Sequence, residues 1–254
     1  MKKPTARLLT LLTCLYASNI TAQTWDHTHL TVTDTKAASV WYAKHFGGEI
    51  TKSGPFDAVW FGTNLVKFKS GENILQSTGS IVDHIAFSLE DVDAKATALA
   101  EDGANVPAAN RRKPGFRYAI DPWGTKIELF TDEDLLGFHH VLIKSTRPRD
   151  TIEWYGATFG GTPGKYKDTI SIYAIRYGDM YLFVQKSLRP VASTKGRSID
   201  HLGWQFTDFD AIIKKLKEQG TKFLVEPTKS GDHRLAFIES PGGAKIEIVE
   251  TVTK

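Results

Sequence analysis

Histidines and glutamates recur at matched places in the two halves of this 254-residue sequence. Of its eight histidines, four fall at the same relative positions in the halves, and each pair is accompanied by one glutamate. The matched sets are His27, His84 and Glu128, and His140, His201 and Glu247. Two imidazoles and one carboxylate are typical ligands of a divalent metal ion, and they leave coordination positions open for a substrate. The sequence therefore predicts one metal site in each half.

The two sets belong to an internal repeat. The motifs Trp41-Tyr42 and Phe46-Gly47-Gly48 return as Trp154-Tyr155 and Phe159-Gly160-Gly161, each 113 positions later. The offset is also 113 for the first histidine of each set, and it grows to 117 and 119 for the second histidine and the glutamate, which fits short loop insertions. We predict a duplication, with a first domain at residues 23–134 and a second domain at residues 135–254.

Each half also contains two similar units, in which a strand precedes a helix and further strands follow. In the first half, helices are predicted at Thr35–Phe46 and Val92–Ala100, each after a strand that begins near a histidine. The glutamate lies in the closing strand of the second unit, at Lys126–Phe130. If the two units of one half pair through their first strands, the three ligands of that half converge.

Composition excludes several kinds of function. With 41% hydrophobic and 24% charged residues, the chain has the makeup of a globular protein. Its net charge is only +3, and the basic residues are scattered, so neither nucleic acid nor an anionic membrane is indicated as a partner. A small-molecule substrate remains open, and the chain is expected to be a monomer or a homodimer.

The first 22 residues have the pattern of a signal peptide. Lys2 and Lys3 precede an apolar stretch that is too short to cross a bilayer, and Ala22 offers a small residue before the cut. We expect the protein to be exported to the periplasm or secreted, and an uncleaved anchor is the alternative. The only cysteine, Cys14, lies in this segment, so cleavage would leave no thiol for disulfides or metal binding.

Together, these motifs resemble the vicinal-oxygen-chelate superfamily of glyoxalases, bleomycin-resistance proteins and extradiol dioxygenases. The motifs that carry the resemblance are Asp26–Asp34, Asp83–Phe87 and Asp121–Glu128, followed by His140, Asp200–Trp204 and Ser240–Glu247. The resemblance covers nearly everything after Gln23. It implies an α+β fold of two tandem domains, each with two paired βαβββ units that form a curved mixed sheet around a metal site. It also implies that the metal, which is Fe, Mn, Zn or Ni, binds the substrate through neighbouring oxygen atoms.

The resemblance also bears on the type of reaction. Glyoxalase-type isomerases add a carboxylate ligand from the last strand of the first unit, but Lys67 and Phe183 stand in the corresponding stretches here. The three-ligand pattern is closer to extradiol dioxygenases, and Tyr118 resembles the tyrosine that orients a catechol in them. Phe237 stands at this place in the second copy, and Asn110–Arg112 stand where the acid–base histidine of those enzymes is expected.

Two further histidines adjoin the predicted ligands. His29 lies two residues after His27, on the same face of the strand, and is predicted either to line the pocket as an acid–base group or to have a structural role that supports the ligands. His139 adjoins His140 and is predicted to face away from the site.

The sequence thus predicts a metal-dependent, dioxygenase-like enzyme for a small oxygen-chelating substrate such as a catechol. A glyoxalase-type lyase or isomerase and a non-catalytic protein that sequesters a small molecule remain the alternatives.

Overall fold

The structure is a computed structural model that describes residues 23–108, 115–167 and 169–252. The predicted signal peptide with Cys14, and the segment Asn110–Arg112, lie outside the described residues. The strands of the first half are β1 (Gln23–Val32), β2 (Glu49–Ser53), β3 (Phe56–Phe61), β4 (Asn64–Ser70), β5 (Val82–Ser88), β6 (Phe116–Ile120) and β7 (Lys126–Phe130). Those of the second half are β8 (Gly137–Ser145), β9 (Gly164–Lys165), β10 (Ile172–Tyr177), β11 (Met180–Lys186), β12 (Ile199–Phe206), β13 (Phe223–Ser230), β14 (His233–Glu239) and β15 (Lys245–Glu250). The helices are α1 (Thr35–Phe46), α2 (Val92–Glu101), α3 (Pro148–Phe159) and α4 (Phe209–Glu218). In the described part of the chain, no helix has the length and apolar character needed to cross a membrane.

The helix boundaries follow from local capping, which is why they could be predicted. Helix α1 spans the predicted residues: Asp34 accepts hydrogen bonds from the backbone N–H groups of Lys36 and Ala37 at its start, and Gly47 ends it in a left-handed conformation. Helix α2 begins at the predicted residue, where Asp91 caps it, and extends one residue beyond the predicted end.

The strands form two mixed sheets, which confirms the predicted fold class. The first sheet has the order β13-β14-β15-β12-β1-β4-β3-β2, and the second has the order β6-β7-β5-β8-β11-β10-β9. In each sheet, two unit-opening strands lie antiparallel at the centre, β1 beside β12 and β5 beside β8. Parallel partners flank them, β4 and β15 in the first sheet and β7 and β11 in the second.

This strand order corrects the predicted pairing of units. The units that pair do not come from the same half: the outermost two units of the chain, which open with β1 and β12, form the first sheet, and the inner two form the second. One hydrophobic core includes residues from both sheets, so the two sheets fold as one body.

Matched aromatic residues of the repeat occupy this core. Tyr42 and Tyr155 are fully buried, and each hydroxyl reaches the turn before a glutamate-bearing strand. Tyr42 donates to Asp121 Oδ2 at 2.7 Å, whereas the hydroxyls of Tyr155 and Ser240 lie 3.2 Å apart. The same contact therefore has an ionisable partner in one half and a neutral partner in the other.

Asp121 organises the turn that leads into β7. Its Oδ1 accepts the backbone N–H groups of Thr125 at 2.6 Å and Trp123 at 3.0 Å. Burial raises the pKa of Asp121 to about 6, although the hydrogen bond from Tyr42 and those from the turn oppose the increase.

Tyr42→Phe is expected to destabilise the protein more at pH 8 than at pH 5. Because the folded pKa of Asp121 lies above its unfolded value, this group favours the folded state at low pH, and the contribution is lost as pH rises through about 6. The Tyr42 hydroxyl favours the charged carboxylate, so its removal should cost about 1–3 kcal/mol at pH 8 and less at pH 5. Urea unfolding at the two pH values measures this. Tyr155→Phe is the matched control, and the same pH dependence in both variants would contradict the assignment.

Candidate metal centres

Three predicted ligands converge at the centre of the first sheet: His27 on β1, His201 on β12 and Glu247 on β15. The Nε2 atoms of the two histidines lie 3.2 Å apart, and Glu247 Oε2 lies 3.1 Å from each of them. Donors that bind one ion at about 2.0–2.2 Å are themselves roughly 3.0–3.4 Å apart. The three atoms therefore have the spacing of ligands around one ion, and we call this group the first-sheet site.

The carboxylates that precede these histidines determine which ring nitrogen faces the site. Asp26 contacts His27 Nδ1, and Asp200 Oδ1 lies 2.5 Å from His201 Nδ1. A carboxylate only accepts, so each Nδ1 carries the proton and each Nε2 presents a lone pair to the site. Lys245 Nζ fixes Asp200 in turn, at 2.9 Å. Two imidazole lone pairs and a carboxylate oxygen thus face one another in a buried space, and a cation would satisfy all three.

The pKa shifts of the ligands indicate that the site favours a bound positive charge. Burial opposes a proton on His27, but its contacts with Asp26 and Glu247 outweigh burial and raise its pKa above the ordinary value. Burial likewise disfavours charge on Glu247, but hydrogen bonds with His201 and His27 hold the pKa of that carboxyl far below its usual range. A metal ion would therefore displace a proton when it binds, and its affinity should fall at acidic pH.

The second sheet contains an equivalent group of His84 on β5, Glu128 on β7 and His140 on β8, which we call the second-sheet site. One ligand atom from each of the three lies within 4.8 Å of the others. His84 Nε2 is 2.9 Å from Glu128 Oε2, and His140 Nε2 is buried without a hydrogen-bond partner among the described residues. Asp83 Oδ1, held by Lys126 Nζ at 2.8 Å, lies 2.7 Å from His84 Nδ1. A buried imidazole nitrogen with no partner fits a metal ligand better than a packing residue.

At the second-sheet site, His139 takes the place that the carboxylate of Asp26 has beside His27 at the first-sheet site. It is predicted to face away from the site, but it is fully buried against the ligand His140, and the two Nδ1 atoms lie 3.0 Å apart. Its Nε2 lies 3.2 Å from Asp132 Oδ2, and Lys167 and Tyr166 also bind that carboxylate. His139 donates its Nε2–H to Asp132, so its Nδ1 is free to accept the Nδ1–H of His140. His140 Nε2 then presents its lone pair to the site.

A tyrosine distinguishes the two sites. Tyr118 on β6 donates its hydroxyl to Glu128 Oε2 at 3.2 Å, and its ring lies 5.6 Å from that of His84. Burial, with the adjacent Glu128, raises the pKa of Tyr118 and keeps the hydroxyl protonated. In the first-sheet site Phe237 takes this place, with its ring 5.1 Å from His201.

The opposite wall of each site also differs. Strand β1 pairs with β4 so that His29 lies beside Lys67. The matching residues in the second-sheet site are Leu142 and Phe183, and the Phe183 ring stacks on His140 with centroids 4.2 Å apart. The first-sheet site is therefore the more polar, and the second-sheet site is partly enclosed by aromatic rings.

His29 lies against the ligands, as its strand position predicts. It is 3% exposed, its Nδ1 is 3.2 Å from His201 Nε2, and its Nε2 has no hydrogen-bond partner in the described part of the chain. Burial and the neighbouring imidazoles lower its pKa, so the ring is neutral.

All six predicted ligands thus lie at two sites, but the predicted grouping by halves is wrong. The sets are His27, His201 and Glu247 in the first sheet, and His84, Glu128 and His140 in the second. The cause is the strand pairing, which joins β1 to β12 and β5 to β8. Tyr118, assigned from sequence beside the first half's ligands, consequently shares its site with a histidine of the second half.

Sequence reasoning missed the residues that support the ligands. Asp26, Asp83 and Asp200 each directly precede a ligand histidine, and the recurring Asp-His pair could have identified them. Asp132, which lies seven residues before His139, gave no such signal.

Comparisons with known proteins agree with this architecture. A profile of the Glyoxalase/Bleomycin resistance protein/Dioxygenase superfamily matches residues 24–129 and 137–248. The crystal structure of glyoxalase I from Zea mays is similar with a TM-score of 0.70 at 19% identity, over 90% of this chain and 92% of that chain. A Bacillus subtilis structure that carries the provisional description of a dioxygenase has a TM-score of 0.63 at 15% identity, over 89% and 84% of the two chains. At these identities the similarity shows the fold alone. None of the curated protein sequences compared matches the chain.

Paired substitutions should show which ligands share an ion. His27→Ala combined with Glu247→Ala is expected to lose the same single ion per chain as either change alone, because both residues lie at the first-sheet site. His27→Ala combined with Glu128→Ala should lose both ions. Metal content measured after loading and desalting distinguishes these outcomes. The reverse result would support the grouping by halves, and circular dichroism of each variant controls for unfolding.

Proposed function

Because the chain belongs to the Glyoxalase/Bleomycin resistance protein/Dioxygenase superfamily, we propose that it is a metal-dependent enzyme that opens a catechol-type ring with dioxygen at the second-sheet site. The substrate carries two neighbouring oxygen atoms that bind the metal together. Both atoms of O₂ enter the product, one carbon–carbon bond of the ring breaks, and the ring supplies the electrons, so the reaction needs no other reductant.

The position of Tyr118 is the observation that carries this proposal. Its hydroxyl lies 3.2 Å from Glu128 Oε2, next to His84. A protonated hydroxyl at the edge of a metal site can donate to a substrate oxygen as negative charge develops on it. In the first-sheet site, Phe237 offers no such donor, which favours the second-sheet site for catalysis.

The surroundings of this site suit a flat aromatic substrate. Phe130 lies 5.6 Å from the His140 ring, and Phe116 packs edge-on against Tyr118 at 4.9 Å. Phe183 and Tyr166 extend the aromatic wall, with centroids 4.6 Å apart. Rings in these positions exclude water and can pack on a planar substrate, while the polar groups fix its orientation.

The donor set fits a divalent ion such as Fe, Mn, Zn or Ni, with His84, Glu128 and His140 as ligands. Such an ion would bind neighbouring substrate oxygens and stabilise the charge that develops on them. The protein's own part is to orient the ligands: Asp83 holds His84 and His139 holds His140, each through Nδ1. Tyr118 then positions the substrate oxygen by hydrogen bonding.

We expect oxygen uptake when the metal-loaded chain is given catechols. Tyr118→Phe should reduce kcat by about 100-fold without changing metal content, since the loss of one such donor typically costs 10²–10³ in rate. Phe237→Tyr is the matched control: it alters the other site and should leave the rate unchanged. Oxygen electrode measurements with the Fe- and Mn-loaded protein test both variants.

Two other results would contradict ring opening, and a third would contradict its assignment to the second-sheet site. Turnover of hemithioacetals without oxygen uptake would indicate a glyoxalase-type isomerase, an activity that the name of the Zea mays protein carries. Tight binding of catechols with no turnover would indicate a sequestering protein. Equal loss of rate in Tyr118→Phe and Phe237→Tyr would remove the assignment to the second-sheet site.

A further inference from the structure

His29 lies beside the proposed ligands of the first-sheet site but is not one of them. It is almost fully buried, and its Nδ1 lies 3.2 Å from His201 Nε2. One ring nitrogen from each of His27, His29 and His201 lies within 4.8 Å of the others. The neighbours of His29 therefore include the ring nitrogens of His27 and His201 that would bind an ion.

The hydrogen bonds around the site determine what His29 can present to such an ion. His201 donates its Nδ1–H to Asp200, so His201 Nε2 has only a lone pair. Without metal, His29 Nδ1–H can donate to that lone pair. Once an ion occupies it, a proton on His29 Nδ1 would point at positive charge with no acceptor, which is electrostatically unfavourable. The ring would then carry its proton on Nε2, leaving the Nδ1 lone pair towards the ion.

We propose that His29 Nδ1 is a further protein donor of the first-sheet site, which would then present three imidazoles to its ion. The inference rests on the proposed function only in that both require bound metal. It assigns His29 to metal binding rather than to the acid–base or structural role predicted from the sequence.

The neighbours of His29 support this assignment. Lys67, which lies beside it on β4, directs its Nζ to Asp26 at 3.3 Å and offers no metal donor. The ring of Phe56 packs edge-on against His29 at 4.6 Å and restricts its rotation. At the second-sheet site the matching residue is Leu142, so no third imidazole is available there.

The extra donor predicts that the two sites have different roles. A further protein ligand leaves less room for substrate, and in zinc proteins four protein ligands are typical of structural sites whereas three leave a position open for chemistry. A set rich in imidazole suits Zn, Co, Ni or Cu, whose affinity for nitrogen exceeds that of Mn or Mg. The first-sheet site is thus expected to retain its ion more firmly than the second-sheet site.

The full chain with Glu128→Ala isolates the first-sheet site, because this change removes a ligand of the other one. X-ray absorption at the cobalt edge of this variant, loaded with one equivalent of Co(II), should count three imidazoles. A count of two would overturn the proposal, and this measurement does not depend on a change at His29.

His29→Leu, made in the Glu128→Ala chain, copies the residue found at the second-sheet site. It should weaken Co(II) binding by at least 10-fold, since even supporting residues of metal sites are worth 10–100-fold, and it should alter the visible cobalt bands. His45→Leu is the matched control: His45 is also buried, but it pairs with Asp102 away from both sites. It should leave the affinity and the cobalt bands unchanged.

Unchanged affinity and bands in His29→Leu would also overturn the proposal, as would failure of the Glu128→Ala chain to bind Co(II). The proposed function is tested separately with the Glu247→Ala variant, which keeps the second-sheet ligands. Oxygen uptake with catechols in that variant would show that ring opening stands even if the role of His29 fails.

Discussion

The hydrogen bonds between aspartates and ligand histidines are the interactions on which both sites depend. In Asp26-His27, Asp83-His84 and Asp200-His201, a carboxylate accepts a hydrogen bond from the Nδ1–H group, and the Nε2 lone pair is left facing inward. Buried lone pairs that face one another are unfavourable unless a cation or a proton lies among them. The two central strand pairs bring them to this distance, and the remaining strands supply the glutamates and the walls.

The sequence identified the elements of the fold because the signals that define them are local. Asp34 and Gly47 mark the ends of α1, and the two histidines and the glutamate of each half mark the strands that meet at the sites. The pairing of units is not local. After a duplication, β1 could pair with β5 or with β12, and either choice would place two histidines and a glutamate together. Only the strand order shows that β12 is the partner.

A close approach of the backbone adds a restraint that the ligand pattern does not reveal. Gly203 on β12 pairs with His27, and a Cβ atom at this position would lie 2.4 Å from the His27 ring. The glycine therefore leaves the space that the imidazole fills. Ala86, the matching residue in the second sheet, pairs with His140 and shows that the backbone there tolerates a Cβ. The two sites thus have different geometry as well as different neighbours, although their ligands are the same residue types.

Cross-pairing also explains how the sites can differ in chemistry. Each sheet combines one unit from each half. A substitution in one unit therefore alters one wall of one site, while the rest of that site, which the unit from the other half forms, stays the same. Lys67 and His29 come from the first half, but the ligands beside them, His201 and Glu247, come from the second. Sequence divergence therefore distinguishes the two outer units, which form the first sheet, from the two inner units, which form the second. It does not distinguish the first half from the second. Each of the two sites takes its ligands from both halves, so neither half alone supplies the ligands of either site.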